Sequence, residues 1–534
     1  SHDESKEILD CFKDHYKKYA KEFLLSNDFK KLLSIMFKQL QRNDDYENIN
    51  KLIDILNDAT SLINIKDETK LDIYFKYFKD YCPELIYNIS SQIDPYFQTR
   101  EEIENHRNKA LVSINKLIKI YKNNNVKVYL KDITGFYTNN FYFSYHGLSS
   151  CEYFKKKCEF FRMICPELNY KASYIPNKNN KIKVAFISDF LIRMHSVFKD
   201  RHQIIKKLSE DNRFDVYLIT INDLEKEQQK IFTKTKHIKI EQNLENAKNT
   251  IEKLNLDYLV YCEIGMNPFF YHLAFLKLAR IQLNTWGHSD TSGIDSIDYF
   301  MSSKLYEIDN AQENYSENLV KLNSLCTCYV NPISKYKIND FKDRYYYGFS
   351  NTCKIYICPQ SIFKLLPEYD EYLLDILEKD PTSIIILQDA VTGKKDKIIK
   401  RLEKYNKNLG RLHFIGGVPH FIYLNYIYIS DVMLDPFPFG GCNSSLEAFS
   451  MGIPVITQPS NMINGRFTSG FYKKMNILDL ICNSKDEYVD KAIKVANNKD
   501  FKDNIVNKIK ENNKVLYNDE ESFTEWRDFF IQNN

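Results

Sequence analysis

Apolar residues change their spacing along the chain, and the changes divide it. From residue 1 to about 130 they recur every three or four positions, as in Ile8, Phe12, Tyr16 and Tyr19, or Leu52, Ile55, Leu56 and Ala59. That spacing lays one apolar stripe along a helix and predicts an all-α amino-terminal domain, broken at Asn43-Asp44-Asp45 and Lys66-Asp67. No repeat period or tetratricopeptide signature is present. Two readings stand: a helical array that binds protein, and a cap packed on the next domain. An aromatic segment, Phe141-Tyr142-Phe143-Ser144-Tyr145-His146-Gly147, then precedes a helix and the polar linker Asn177-Lys178-Asn179-Asn180.

Beyond the linker, short β-branched and aromatic runs alternate with helix-period stretches. Strands are predicted at 183–187, 215–220, 256–261, 281–284 and 297–301, with a helix through His202 to Leu208. The first strand runs into Ser188-Asp189, so this Rossmann-like start lacks the G-x-G-x-x-G dinucleotide fingerprint. A second alternation has strands at 354–357, 383–387, 413–415, one ending at 432–434, and 455–457; residues 486–534 are helical again. The pattern predicts an α/β chain with two facing doubly wound halves, the GT-B layout, behind the all-α segment. The boundaries drawn are 1–137 helical, 138–350 first Rossmann-like domain on the acceptor side, 351–500 second Rossmann-like domain for a nucleotide sugar, and 501–534 carboxyl-terminal helices.

Composition narrows the function classes. With 43% hydrophobic and 27% charged residues, the 534-residue chain can bury several cores and should divide into two to four domains. A formal net charge of +3 and no long basic block disfavour a nucleic-acid partner. The 12 cysteines are scattered, several within apolar runs such as those holding Cys262 and Cys358, and none forms C-x-x-C; this predicts buried thiols in a reducing cytoplasm. No apolar run reaches membrane-spanning length, and the amino terminus is polar rather than signal-like, so no membrane span is expected.

The stretch 434–460, LDPFPFGGCNSSLEAFSMGIPVITQPS, carries the candidate chemistry. A strand ending at Leu434 leads to the turn Gly440-Gly441-Cys442-Asn443-Ser444-Ser445, after which a helix is predicted to begin with Leu446 and Glu447. Such a helix start offers free backbone N–H groups and a positive dipole end to a phosphate, and the glycines admit close backbone approach. An ordinary capped helix of an α/β domain is the competing reading. No D-x-D occurs, so no metal bridging a diphosphate is expected. Lys364 follows a predicted strand and turn and could equally be a solvated lysine. His195 could be a helix-start cap, Tyr423 a packing residue, and Glu447 a residue that merely complements the helix dipole.

FISDFLIRMHSV, LVYCEIGMNP, WGHSDTSGIDSIDYFMSS, NAQENYSENLVKL, CPQSIFKL and the 434–460 stretch, in this order, resemble the bacterial branch of the O-GlcNAc transferase and SPINDLY-like family. The match runs from about residue 138, including FYFSYHG, to about 500. It departs from the family where a tetratricopeptide array is expected. The resemblance implies that Lys364 contacts the donor diphosphate, with Gln360 one helical turn upstream as a polar donor contact. It further implies that Gly441, Asn443, Ser444 and Ser445 bind phosphate at the helix start, Glu447 faces the ribose, and Tyr423 lies against the base. His195 matches an active-site histidine near the acceptor, and Thr291-Ser292-Gly293 the turn beneath the sugar; His146, Asp189 and His288 complete the expected acceptor and sugar pocket. The implied activity is inverting, metal-independent transfer of GlcNAc from UDP-GlcNAc to Ser/Thr of a protein or peptide acceptor, with no further cofactor. Alternatives are transfer of glucose or fucose, transfer to Asn, a nucleotide-sugar epimerase, and a non-catalytic sugar-nucleotide-binding module.

Overall fold

A computed structural model describes residues 35, 83–91, 95–136, 141–176, 181–389, 394–405, 407 and 409–534. Apart from residue 35, the predicted helices holding Ile8 through Ala59, and the linker 177–180, lie outside the described residues.

Two parallel sheets form the frame. The first has seven strands: β1 (Ile182–Ile187), β2 (Phe214–Thr220), β3 (Lys236–Lys239), β4 (Leu256–Tyr261), β5 (Ala279–Thr285), β6 (Tyr299–Ser303) and β7 (Asn318–Leu322). They lie in the order β3-β2-β1-β4-β5-β6-β7. The second has five: β8 (Lys354–Ser361), β9 (Ser383–Gln388), β10 (Leu412–Ile415), β11 (Val432–Leu434) and β12 (Val455–Ile456), in the order β10-β9-β8-β11-β12. Every pairing is parallel, with Val184 opposite Val216 on one side and Tyr258 on the other. All six residues of β4 are buried, because crossover helices cover both faces of such a sheet.

The strand order reverses between β1 and β4 in one sheet and between β8 and β11 in the other. Loops at those reversal points leave a crevice outside the carboxyl ends of the strands. This is the GT-B arrangement. Two strands were not predicted, β3 (KHIK) and β7 (NLVKL); each lies at a sheet edge with a neighbour on one side only and is largely unburied.

The described amino-terminal helices, Pro83–Ser90 and Arg100–Asn123, cap the first sheet. The longer begins where the sequence invites it: Thr99 Oγ1 accepts the Glu102 N–H at 3.1 Å, an N-cap that satisfies one orphan donor of the first turn. Ile86, Tyr87, Ile114, Leu117 and Tyr121 share one apolar cluster with Phe160 and Phe161 and with Ile187 and Leu259 of the sheet. Within the stretch predicted as carboxyl-terminal helices, Lys499–Asn512 stays with the second half, whereas Glu520–Gln532 returns to the first. There Tyr258 Oη donates to the Phe530 carbonyl at 3.0 Å and Trp526 Nε1 to that of Cys326 at 3.2 Å.

Candidate active site

A cavity of about 540 Å³ lies between the two halves, within the roughly 300–1,000 Å³ typical of small-ligand sites. Its carboxyl-half wall starts at β8. That strand was expected to stop at residue 357 but continues to Ser361 through a register shift between Cys358 and Ser361. Gln360 is therefore a strand residue, and Lys364 ends a short 3₁₀ turn, Ile362–Lys364, rather than lying one α-helical turn further on. The two still meet: Lys364 Nζ donates to Gln360 Oε1 at 2.8 Å, and Gln360 Nε2 donates to Ser444 Oγ. Nζ also lies 4.6 Å from the centre of the Phe439 ring. Burial lowers the lysine to about 8, while the negative charge of Asp435 pulls the other way.

The chain of bonds ends on the helix Asn443–Ser450, which begins three residues earlier than predicted. Asn443, Ser444 and Ser445 thus form its first turn. Its N-cap, Cys442, makes no side-chain capping bond. Uncapped N–H groups and the dipole make this end suited to an anion. Asp435 fixes the approach, accepting from the Gly441 N–H at 2.5 Å and from Thr457 Oγ1 at 2.7 Å. A Cβ on Gly441 would meet Ser444 Oγ and Gln360 Nε2, so any larger residue there would push aside the two side chains that link Lys364 to the helix start. Ser445 turns away from the cavity to pair with Thr468 at 2.7 Å.

Further along, Glu447 Oε1 lies 2.7 Å from both His420 Nε2 and Lys199 Nζ. Burial would raise this carboxyl, but the hydrogen bond from His420 and the charge of Lys199 outweigh it and hold it below the usual range. Tyr423 runs nearly parallel to His420, with ring centres 6.0 Å apart, and its hydroxyl donates to the Pro359 carbonyl at 3.4 Å.

The amino-half wall carries His195, Asp200, Trp286 and His288. His195 is the N-cap of the helix Ser196–Glu210, its Nδ1 accepting the Val197 N–H at 3.3 Å, and its ring stacks on Phe190 with centres 4.5 Å apart. Burial, then the charges of Arg193 and Lys199, lower it to about 4. His288 is lowered to about 4 by burial, with Nε2 3.3 Å from the Phe141 carbonyl. Asp200 is raised to about 6 by burial, and its Oδ1 has no partner.

Residues 336–522 match the profile of glycosyl transferase family 41. That stretch is a family 41 domain. Two curated relatives are also similar. The "UDP-glucose:protein N-beta-glucosyltransferase" of Actinobacillus pleuropneumoniae serotype 5b (strain L20) is 23% identical over 343 residues, 61% of this chain and 52% of that protein. The "Probable UDP-N-acetylglucosamine--peptide N-acetylglucosaminyltransferase SPINDLY" of Solanum lycopersicum is 23% identical over 224 residues, 41% of this chain and 23% of its own length. The chain thus spans about half or less of these relatives. A solved mutant of the Thermobaculum terrenum O-GlcNAc transferase superposes with a TM-score of 0.64 at 16% identity, covering 99% of this chain and 98% of that one; at this identity the likeness concerns the fold.

The family 41 domain supplies Gln360, Lys364, Tyr423, Asn443, Ser444 and Glu447 to the cavity, and the first half supplies His195 and His288. Five other expected residues stand behind the wall. His146 is 2% exposed, edge-on to Phe97 at 5.2 Å. Asp189 accepts the backbone N–H groups of Ile221 and Asn222 at 2.9 and 3.0 Å, fixing the turn after β2. Thr291 donates to Glu317 at 2.6 Å, and the Ser292 N–H donates to the same carboxylate at 2.8 Å. Gly293, at φ +72°, fits against the Phe154 backbone where a Cβ would clash. A motif identifies a loop without saying which of its side chains turns inward.

Lys199, Asp200, Trp286, His420 and Phe439 line the same cavity and were missed. For Lys199 a signal existed, four residues after His195 on a helix and therefore on the same face. His420 likewise precedes Tyr423 by three. Among the described residues no three His, Cys, Asp or Glu side chains cluster as a metal site, and no helix is long and apolar enough to cross a membrane.

Proposed function

We propose that this protein is an inverting, metal-independent glycosyltransferase that moves a sugar, GlcNAc by preference, from a UDP-sugar to Ser/Thr of a protein or peptide. The observation that carries the reading is the bond sequence Lys364–Gln360–Ser444, which joins a buried ammonium to an uncapped helix start across the cavity from His195. In the reaction the acceptor hydroxyl oxygen bonds to the anomeric carbon and its proton is released to solvent, while the bond from that carbon to the diphosphate breaks. Charge grows on the departing diphosphate, where Lys364 and the N–H groups of the Asn443–Ser450 helix stabilise it. On this reading Glu447 takes the ribose, Tyr423 and His420 lie beside the base, and 138–350 and 351–500 act as acceptor-side and donor-side domains. The residues of the 1–137 stretch serve as a cap, and 501–534 as closing helices. The free thiols among the described residues fit a reducing, cytoplasmic setting.

A second reading, glucosyl transfer to Asn, is favoured by the longer match to the Actinobacillus relative. Incubation with UDP-GlcNAc, UDP-glucose or GDP-fucose and candidate acceptors, followed by intact mass, decides among them. Expected is a mass gain of one N-acetylhexosamine on a protein; an epimerised donor with no nucleotide released would instead favour an epimerase, and nucleotide release with no modified acceptor a hydrolase. Turnover should be unchanged in excess chelator, since charge stabilisation here comes from an ammonium and a helix start. Complete loss restored by Mg²⁺ or Mn²⁺ would refute metal independence.

A further inference from the structure

Lys199 belongs to the first half yet reaches the donor side of the cavity. From the first turn of the helix Ser196–Glu210 its Nζ comes within 2.7 Å of Glu447 Oε1 and 3.3 Å of His420 Nε2. His420 Nε2 is itself 2.7 Å from that same oxygen. Both contacts converge on Oε1 of a side chain only 4% exposed, and among the described residues none bonds Oε2. Other contacts between the halves include bonds to backbone carbonyls and ring pairs: Asn464 Nδ2 donates to the Ser144 carbonyl at 2.9 Å, Arg466 Nε to that of Tyr306 at 2.6 Å, and Tyr145 stacks on Phe439 at 4.2 Å. Lys199 and His420 also line a second, smaller cavity of about 170 Å³, with Met194, Phe198, Tyr329 and Pro332 among its walls. Lys199 therefore ties the two halves together through an ion pair at the cavity wall.

We propose that Lys199 is a positioning residue that sets ribose recognition: together with His420 it fixes Oε1 of Glu447, so that Oε2 accepts a ribose hydroxyl of the nucleoside diphosphate. This rests on the donor-site reading above. A buried carboxylate held at one oxygen presents the other in a fixed direction, whereas an unheld one loses both direction and charge. Since Lys199 and Glu447 come from different halves, recognition of the ribose also requires a closed cleft.

The test is calorimetric titration of UDP against 2′,3′-dideoxyuridine diphosphate, with the guanosine pair run in parallel, on the full chain and on Lys199→Met and Lys199→Gln. Thermal melting confirms that each variant is folded. Wild type should favour the ribonucleotide by about ten-fold, the scale of one hydrogen bond to a charged group. Either variant should reduce that ratio to about two-fold or less. A ratio that stays near ten-fold in the folded variants overturns the role of Lys199 and leaves the donor site standing. No preference in wild type overturns the contact between Glu447 and ribose, and with it this role. Absence of nucleotide binding in wild type removes the donor-site reading itself.

Discussion

Lys364→Ala is expected to lower turnover by about 10²- to 10³-fold, the scale of losing one preorganised electrostatic donor. The diphosphate gains charge as the glycosidic bond breaks, so an ammonium beside it stabilises the transition state more than the bound donor. The structure gives this lysine a cost that a surface lysine lacks. Burial brings it to about 8, so in the free enzyme its proton is lost as pH rises through that value. The protonated form is the one that binds diphosphate, and kcat/KM for the donor should therefore fall above about pH 8. A bound diphosphate holds the proton on, and kcat should persist to higher pH. Lys364→Arg should not fully rescue, because the planar guanidinium must fit between Gln360 and the Phe439 ring. Single-turnover rates and nucleotide affinity across pH check each part. Near-normal turnover in Lys364→Ala would mean that the helix start alone carries the leaving group.

His195→Ala should lower turnover by about 10²-fold while changing nucleotide affinity little, for reasons that come from its hydrogen bonding. Its Nδ1 accepts the Val197 N–H, so the proton of the neutral ring sits on Nε2. Among the described residues none bonds Nε2. The ring is thus a hydrogen-bond donor at the cavity wall and orients an oxygen rather than taking its proton. Because it titrates near 4, it stays neutral across the physiological range, and its removal should leave the shape of the pH–rate profile between 5 and 8 unchanged. His195→Asn should retain more activity than alanine, since one amide oxygen can keep the cap and its nitrogen can donate. Disappearance of an acidic limb in His195→Asn would identify the histidine as the base. A parallel collapse of affinity and rate would make it a donor ligand.

Much of this architecture was legible in the sequence. The strands of the two sheet centres, such as β4 with its YLVY run, are buried on both faces and leave short apolar runs bounded by turn residues, the pattern of a central parallel strand. Edge strands KHIK and NLVKL have half as many neighbours, and their short, partly exposed runs carry no strand signal of their own. The helix start at Asn443 and the lysine at 364 were found because glycines, small polar residues and a strand end lie close together in the chain. The end of β8 was misplaced because a bulge follows from pairing with β9, which adjacent residues do not encode. Tertiary structure alone decided which loop residues turn inward: Asp189 and Thr291 lie in recognisable motifs, yet their partners are Asn222 and Glu317. It also decided that Lys199 and Glu447, 248 positions apart, share one ion pair. Local periodicity fixes what an element buries, but a contact between two halves depends on how their sheets face each other, and the periodicity of neither half records that.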